Sequence, residues 1–167
     1  MKNLINKIKQ AWNKFCITVK DLEAIQYADK IVRDDVKLPC IVYEGINIIY
    51  DTRLCFGIRK ISMGVTKYNG YAIPSIKTII LPTQEDLSEF PKETIDFLLG
   101  HEIGHIKLEH NMTDSIRLLE NEIAADAYAV SLNGLEQTKF AMNYVMLNLL
   151  DNDVDREEFR VRILALK

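Results

Sequence analysis

An α+β fold is predicted: a small, mostly antiparallel sheet packed on a helical bundle, in one domain. Two patterns predict it. Short runs rich in β-branched and aromatic residues, separated by turn formers, are confined to residues 40–81. From Pro91 to the C-terminus, apolar residues instead recur every three or four positions and no strand pattern returns. Strands and helices segregated in this way favour α+β over an alternating α/β arrangement. A chain of 167 residues, 48% hydrophobic and 27% charged, is long enough to bury a sizeable core in one domain spanning residues 1–167.

Residues 1–36 read as helical, with packing that the sequence leaves open. Leu4/Ile5, Ile8, Trp12, Phe15, Val19 and Leu22 recur at helical spacing with lysines between them. A second helix runs from about Leu22 to Val36 and ends before Pro39. Residues 1–20 hold five lysines and no acid; with a net charge of −3 overall, the other 147 residues carry −8. Such a basic amphipathic helix can lie on a membrane surface or in a partner's groove. The favoured reading is that its apolar stripe faces the core and its lysines are solvated.

The strand-like runs are Cys40–Tyr43, Ile46–Tyr50, Cys55–Ile58 and Thr78–Leu81, the last stopping at Pro82. Tyr68-Asn69-Gly70-Tyr71 is a type I′ hairpin signal. The edge of the last strand either pairs with an extended peptide substrate or is covered by neighbouring strands. Residues 83–90 are polar and acidic and read as a loop. Pro91 opens a helix at its favoured first-turn position and the helix runs to about His110. After a connection at Asn111–Asp114, a third helix spans about Ser115 to Leu132 and stops at Asn133-Gly134. A fourth covers Leu135–Leu150. Asp151-Asn152-Asp153 interrupts, and a last helix takes Asp155–Leu166.

Several function classes fall away. The overall charge points to no nucleic acid, and no run reaches the roughly 18–20 apolar residues of a membrane span. Cys16, Cys40 and Cys55 are odd in number and scattered without a CxxC pair, which argues for reduced thiols and against a disulfide framework or a cysteine zinc knuckle. With no secretory signal visible, a cytoplasmic location is expected.

The chemistry concentrates in His101-Glu102-Ile103-Gly104-His105, an HExxH motif. Residues four apart share a helix face, so His101 and His105 can aim two imidazoles at one metal, with Glu102 beside them to take a proton from water. A catalytic zinc normally takes three protein ligands. His110, five residues past His105, is rotated off that face and reads as a surface residue at the helix end. A carboxylate must complete the set. Glu122 is the favoured ligand, on a helix joined by a short turn; Glu120 is a weaker rival, and Glu109 lies too far along the axis. Gly100 and Gly104 on one helix, with Ala124, Ala125, Ala127 and Ala129 on the other, permit close approach. Asp126, four residues beyond Glu122, is placed to hold a ligand imidazole through its second N–H.

His101–His105 followed by Glu122-Ile-Ala-Ala-Asp126-Ala-Tyr-Ala resembles the HExxH…ExxAD signature of gluzincin metallopeptidases. Two branches resemble it: the CAAX-prenyl-protease/HtpX-like family and the ImmA/IrrE-like family of small metallopeptidases, frequent in phages and mobile elements. The likeness covers about residues 91–132. The first branch implies transmembrane helices and the second often a helix-turn-helix or sensor domain; neither pattern occurs here, so the chain looks like a minimal soluble catalytic core. The resemblance implies a zincin-like, minigluzincin-like fold and a Zn2+ cofactor held by His101, His105 and Glu122. It further implies Glu102 as general base and acid, Asp126 in support, and a peptide or protein substrate. It does not place an oxyanion-stabilising group; Tyr128, Tyr144, Arg160 and Arg162 are candidates by proximity. The alternative is a non-catalytic, antirepressor-type binding module with a structural zinc. The presence of Glu102, which a structural site does not need, argues against it.

Overall fold

The computed structural model describes residues 40–51, 70–110, 119–150 and 153–167. The helices expected over 1–36, the strand expected at 55–58 and the connection at 111–114 lie outside the described residues.

Four strands form one sheet in the order β1-β2-β4-β3: β1 Cys40–Tyr43, β2 Ile46–Tyr50, β3 Tyr71–Ile73 and β4 Thr78–Leu81. β1 pairs antiparallel with β2, β2 parallel with β4, and β3 antiparallel with β4, so the sheet is mixed but mostly antiparallel. Tyr43 pairs with Ile46 across a two-residue turn in which Glu44 and Gly45 both have positive φ, 48° and 77°. This is the type I′ pattern, whose twist matches the flanking strands.

The hairpin expected at Tyr68–Tyr71 turns on Tyr68 and Asn69, which lie outside the described residues. β3 begins at Tyr71, and the β3–β4 turn is the 3-10 segment Pro74–Ile76 followed by left-handed Lys77 at φ 47°. β4 is an inner strand with every residue buried, so its edge is covered by β2 and β3.

The segment expected as a loop over 83–90 contains a short helix, α1 (Gln84–Leu87). Thr83 caps it: the Asp86 amide donates to Thr83 Oγ1 at 3.3 Å, and that hydroxyl donates to Asp86 Oδ2 at 2.8 Å. This reciprocal Thr-x-x-Asp arrangement turns an acidic stretch into a helix start. α2 (Lys92–Lys107) follows, with Pro91 as its N-cap rather than its first helical residue. Then come α3 (Leu119–Asn133), α4 (Leu135–Asn148) and α5 (Asp153–Ala165). α5 starts two residues earlier than the sequence suggests. Gly134, at φ 86°, is the single residue between α3 and α4, a conformation open to glycine.

α2 is the axis of the molecule. Its Leu98, Ile103 and Ile106 join a core with Ile46, Ile48, Ala72, Ile79, Leu81 and Leu87 on the sheet side. Its Phe97 joins a second core with Ala129, Ala141, Met142, Val145, Met146, Leu150 and Leu166 on the helical side. A helix apolar around most of its circumference belongs inside a fold, and α2 divides the two cores.

α2 and α3 meet at small residues. A Cβ on Gly104 would stand 3.0 Å from the Cα and O of Ala125, and one on Gly100 would stand 3.3 Å from the Cα of Ala129. The lower-numbered glycine faces the higher-numbered alanine, so the two helices run antiparallel. Ala125 and Ala129 form this contact, whereas Ala124 is half-buried and Ala127 exposed.

Candidate metal centre

Close approach of α2 and α3 decides what surrounds the two histidines. His101, Glu102 and His105 on α2, and Glu122 and Asp126 on α3, are all buried at 7% exposure or less. One nitrogen of each histidine and one oxygen of Glu122 lie within 4.8 Å of one another, a group that could hold a metal ion. His101 Nε2 is 3.0 Å from His105 Nε2 and 3.4 Å from Glu122 Oε2. His105 Nε2 is 3.6 Å from Glu122 Oε1. Tetrahedral zinc with bonds of about 2.0–2.1 Å spaces its donors by roughly 3.3–3.4 Å. The three separations bracket that value, so this donor set fits zinc in chemistry and in spacing.

Glu102 stands next to the cluster with its carboxylate against the start of β3. A Cβ on Gly70 would come within 2.7 Å of Glu102 Cγ and 2.9 Å of its Oε1. A glycine is what lets the backbone approach this close.

The Nδ1 side of each histidine has its own partner. His101 Nδ1 lies 2.8 Å from Asp126 Oδ1. Asp126 also receives two hydrogen bonds from Arg162, Nε to Oδ2 at 2.7 Å and Nη2 to Oδ1 at 2.8 Å. Arg162 Nη1 is 3.2 Å from Glu122 Oε2 as well, so one buried guanidinium touches both carboxylates. Burial acts to raise the Asp126 pKa, but the bonds from Arg162 and His101 outweigh it and hold the carboxyl below its ordinary value. Burial acts against charge on His101; its hydrogen bonds to Asp126 and Glu122 prevail and push that imidazole up to about 9 without a metal.

His105 turns its Nδ1 to His110, with 2.8 Å between the two Nδ1 atoms. The surface reading of His110 is therefore corrected: it is half-buried and touches a member of the cluster. The i+5 argument assumed a continuing helix, but α2 ends at Lys107 and Glu109 takes a left-handed φ of 52°. The Glu109 amide then bonds Ile106 O at 3.2 Å and the His110 amide bonds His105 O at 3.0 Å. These are the two bonds of a Schellman turn, which folds the chain back over the last helical turn. Burial outweighs the opposing field of Glu122 and lowers the His110 pKa from its usual value.

The remaining candidates do not converge on the cluster. Glu120 is exposed at the start of α3, and Glu109 is exposed in the turn. Tyr144 stacks edge-on with Phe90 at 6.3 Å, and Arg160 pairs with Glu157 at 2.8 Å on the surface. Tyr128 packs by its Cβ near Gly104. Arg162 does arrive, but it is engaged by Asp126 and Glu122. Its signal in the sequence is its place on the inner stripe of α5: Phe159, Ile163 and Leu166 of the same stripe reach the helical core.

Compared with known proteins, the chain matches the family described as Peptidase family M48 over residues 62–157. Neither a curated protein nor a solved structure matches it. The matched span holds the whole His101–Asp126 cluster and His110, and Arg162 lies just beyond it.

Proposed function

Because the chain belongs to Peptidase family M48, a family of zinc metallopeptidases, we propose that it is a zinc-dependent endopeptidase of the HExxH…ExxAD type and that the buried cluster is its active site. In this reading His101, His105 and Glu122 hold Zn2+, Glu102 is the catalytic acid–base, and Asp126 orients His101. The observation that carries it is the convergence of two buried imidazole Nε2 atoms and the buried Glu122 carboxylate at separations of 3.0 to 3.6 Å, with a carboxylate on the residue after the first histidine.

When bound, zinc supplies Lewis acidity, which acidifies water and polarises a carbonyl. Glu102 takes the proton of the attacking water on its carboxylate and returns it to the leaving amine. Gly70 lies against that carboxylate on the sheet side, where a Cβ would collide with the Glu102 side chain and with Leu81. Asp126 accepts the Nδ1–H of His101, which leaves Nε2 of that ring free to act as a donor to metal. Arg162 holds Asp126 ionised for this purpose.

A peptidase takes protein or peptide substrates. The resemblance to ImmA/IrrE-like proteins makes regulatory proteins of phages or mobile elements the substrates to test first, in the cytoplasm. Among the described residues no helix is long and apolar enough to cross a membrane.

Glu102→Gln should keep zinc and abolish cleavage, while Glu122→Ala should lose zinc. Metal analysis of both proteins, beside a proteomic comparison of cleavage products from wild type and Glu102→Gln, tests the reading. Full zinc retention in a His101→Ala/His105→Ala double variant would overturn it.

A further inference from the structure

We propose that His110 is a positioning residue for the metal centre: it accepts the Nδ1–H of His105 and fixes that ring with Nε2 toward the metal. The proposal rests on the assignment of His105 as a ligand.

The geometry leaves His105 one arrangement. Its Nε2 lies 3.0 Å from His101 Nε2 and 3.6 Å from Glu122 Oε1, so Nε2 is the atom facing the cluster. A neutral imidazole that offers Nε2 as a donor to metal carries its proton on Nδ1. That proton points at His110 Nδ1, 2.8 Å away, and His110 must accept there and keep its own proton on Nε2. The ring centroids stand 5.0 Å apart with the planes inclined at 72°, a separation at which the two ring edges meet through their Nδ1 atoms.

The two proposed ligands are thus held by chemically different groups. His101 is bonded to a carboxylate locked by Arg162, anchored from α3 and α5. His105 is bonded to an imidazole delivered by the end of its own helix. A Schellman turn usually closes with an apolar contact between the residue after the left-handed position and the third residue from the helix end. Those two positions are here His110 and His105, and a hydrogen bond takes the place of the apolar contact. Glu109 accepts a left-handed φ without being glycine, a conformation that persists only where its surroundings hold it. The two backbone bonds of the turn and the imidazole pair hold it together.

Full-length, metal-stripped protein tests this with His110→Ala and His110→Asn, whose side-chain oxygen falls near the position of the histidine Nδ1. Three readouts apply: Zn2+ affinity against a chromophoric chelator, the visible spectrum of the Co2+-substituted protein, and melting of the metal-free protein. His110→Ala is expected to bind Zn2+ about 10–100-fold more weakly, the usual effect of removing a group that orients a ligand, and to alter the Co2+ spectrum. His110→Asn should restore most of both. Wild-type affinity and spectrum in His110→Ala overturn the proposal, as does a lowered metal-free melting temperature with unchanged Zn2+ affinity, which marks a role in folding alone. His105→Ala separates the two levels: wild-type Zn2+ affinity there overturns the ligand assignment itself, whereas lost affinity there with none lost in His110→Ala overturns only the role of His110.

Discussion

Asp126 is bonded on both oxygens: Oδ1 faces His101 and an Arg162 nitrogen, and Oδ2 takes the guanidinium Nε. Arg162 in turn reaches Glu122, so removing it would take the guanidinium from two buried carboxylates and leave them to the histidines. Breaking a buried ion pair from one side costs about 3–5 kcal/mol, because the remaining charge has no compensation. Arg162→Met is therefore expected to destabilise the metal-free protein by that order, measured by denaturant unfolding. Arg162→Lys should recover only part of the loss, since an ammonium cannot reproduce the forked contact with Asp126. An Arg162→Met protein as stable as wild type would mean that water, rather than Arg162, satisfies the two acids. The spacing of His101, His105, Glu122 and Asp126 was enough to nominate all four from the sequence. His110 and Arg162 were not nominated for these contacts: one depends on a turn that reverses the helical phase, the other on a helix far away in the chain.

At the scale of elements, the α2–α3 contact controls the cluster, because Glu122 and Asp126 reach α2 only as far as the helix backbones allow. Gly104 faces Ala125 backbone atoms, which cannot swing aside as a side chain can. Gly104→Ala gains helix propensity of up to about 1 kcal/mol but forces backbone apart, an overpacking typically costing about 1–3 kcal/mol. The variant should fold with lowered stability and markedly weaker Zn2+ binding, read by thermal melts and chelator competition; unchanged binding would show that the interface can yield. Gly70→Ala makes a contrasting case. Its Cβ would meet Glu102 Cγ at 2.7 Å and the end of Leu81 at 2.8 Å, side-chain atoms rather than backbone. Zn2+ affinity should hold while kcat falls, because the displaced group is the proposed acid–base and not one of the proposed metal ligands. Helix identities and the α2–α3 pairing were legible in apolar periodicity and in small residues at i, i+4. The α1 helix was not read, although Thr83-x-x-Asp86 carried its cap, because acidic composition outweighed the capping pattern.

Across the molecule, α2 lies between two apolar cores, and the polar cluster sits where that helix is least exposed. Metal binding should therefore act as a stabiliser of the whole domain. Ligand at a hundredfold excess over Kd adds about 2.7 kcal/mol when only the folded state binds it. The effect should depend on pH. In the metal-free protein His101 is raised to about 9 from an ordinary 6.5, so the stability its proton contributes is complete below 6.5 and is lost as pH rises through 9. With His101 as a proposed ligand, zinc would need the unprotonated ring and would displace that proton across the same window. The rise in melting temperature on adding Zn2+ should therefore widen from pH 6.5 to 9, followed by calorimetry with and without chelator. A shift independent of pH over that interval would contradict the protonation of His101 in the metal-free state.

By itself the sequence determined the α+β class, the order of most elements, and the residues of the cluster. Those follow from local rules: strand and helix periods differ, and residues four apart on a helix share a face. Tertiary structure alone decided the rest. Strand order placed β4 inside the sheet and Gly70 against Glu102, because pairing partners come from distant segments. It also brought Arg162 from the last helix to Asp126 and folded His110 back to His105. Both contacts satisfy polar groups that burial would otherwise leave without water, a demand that exists only once the chain has closed around them.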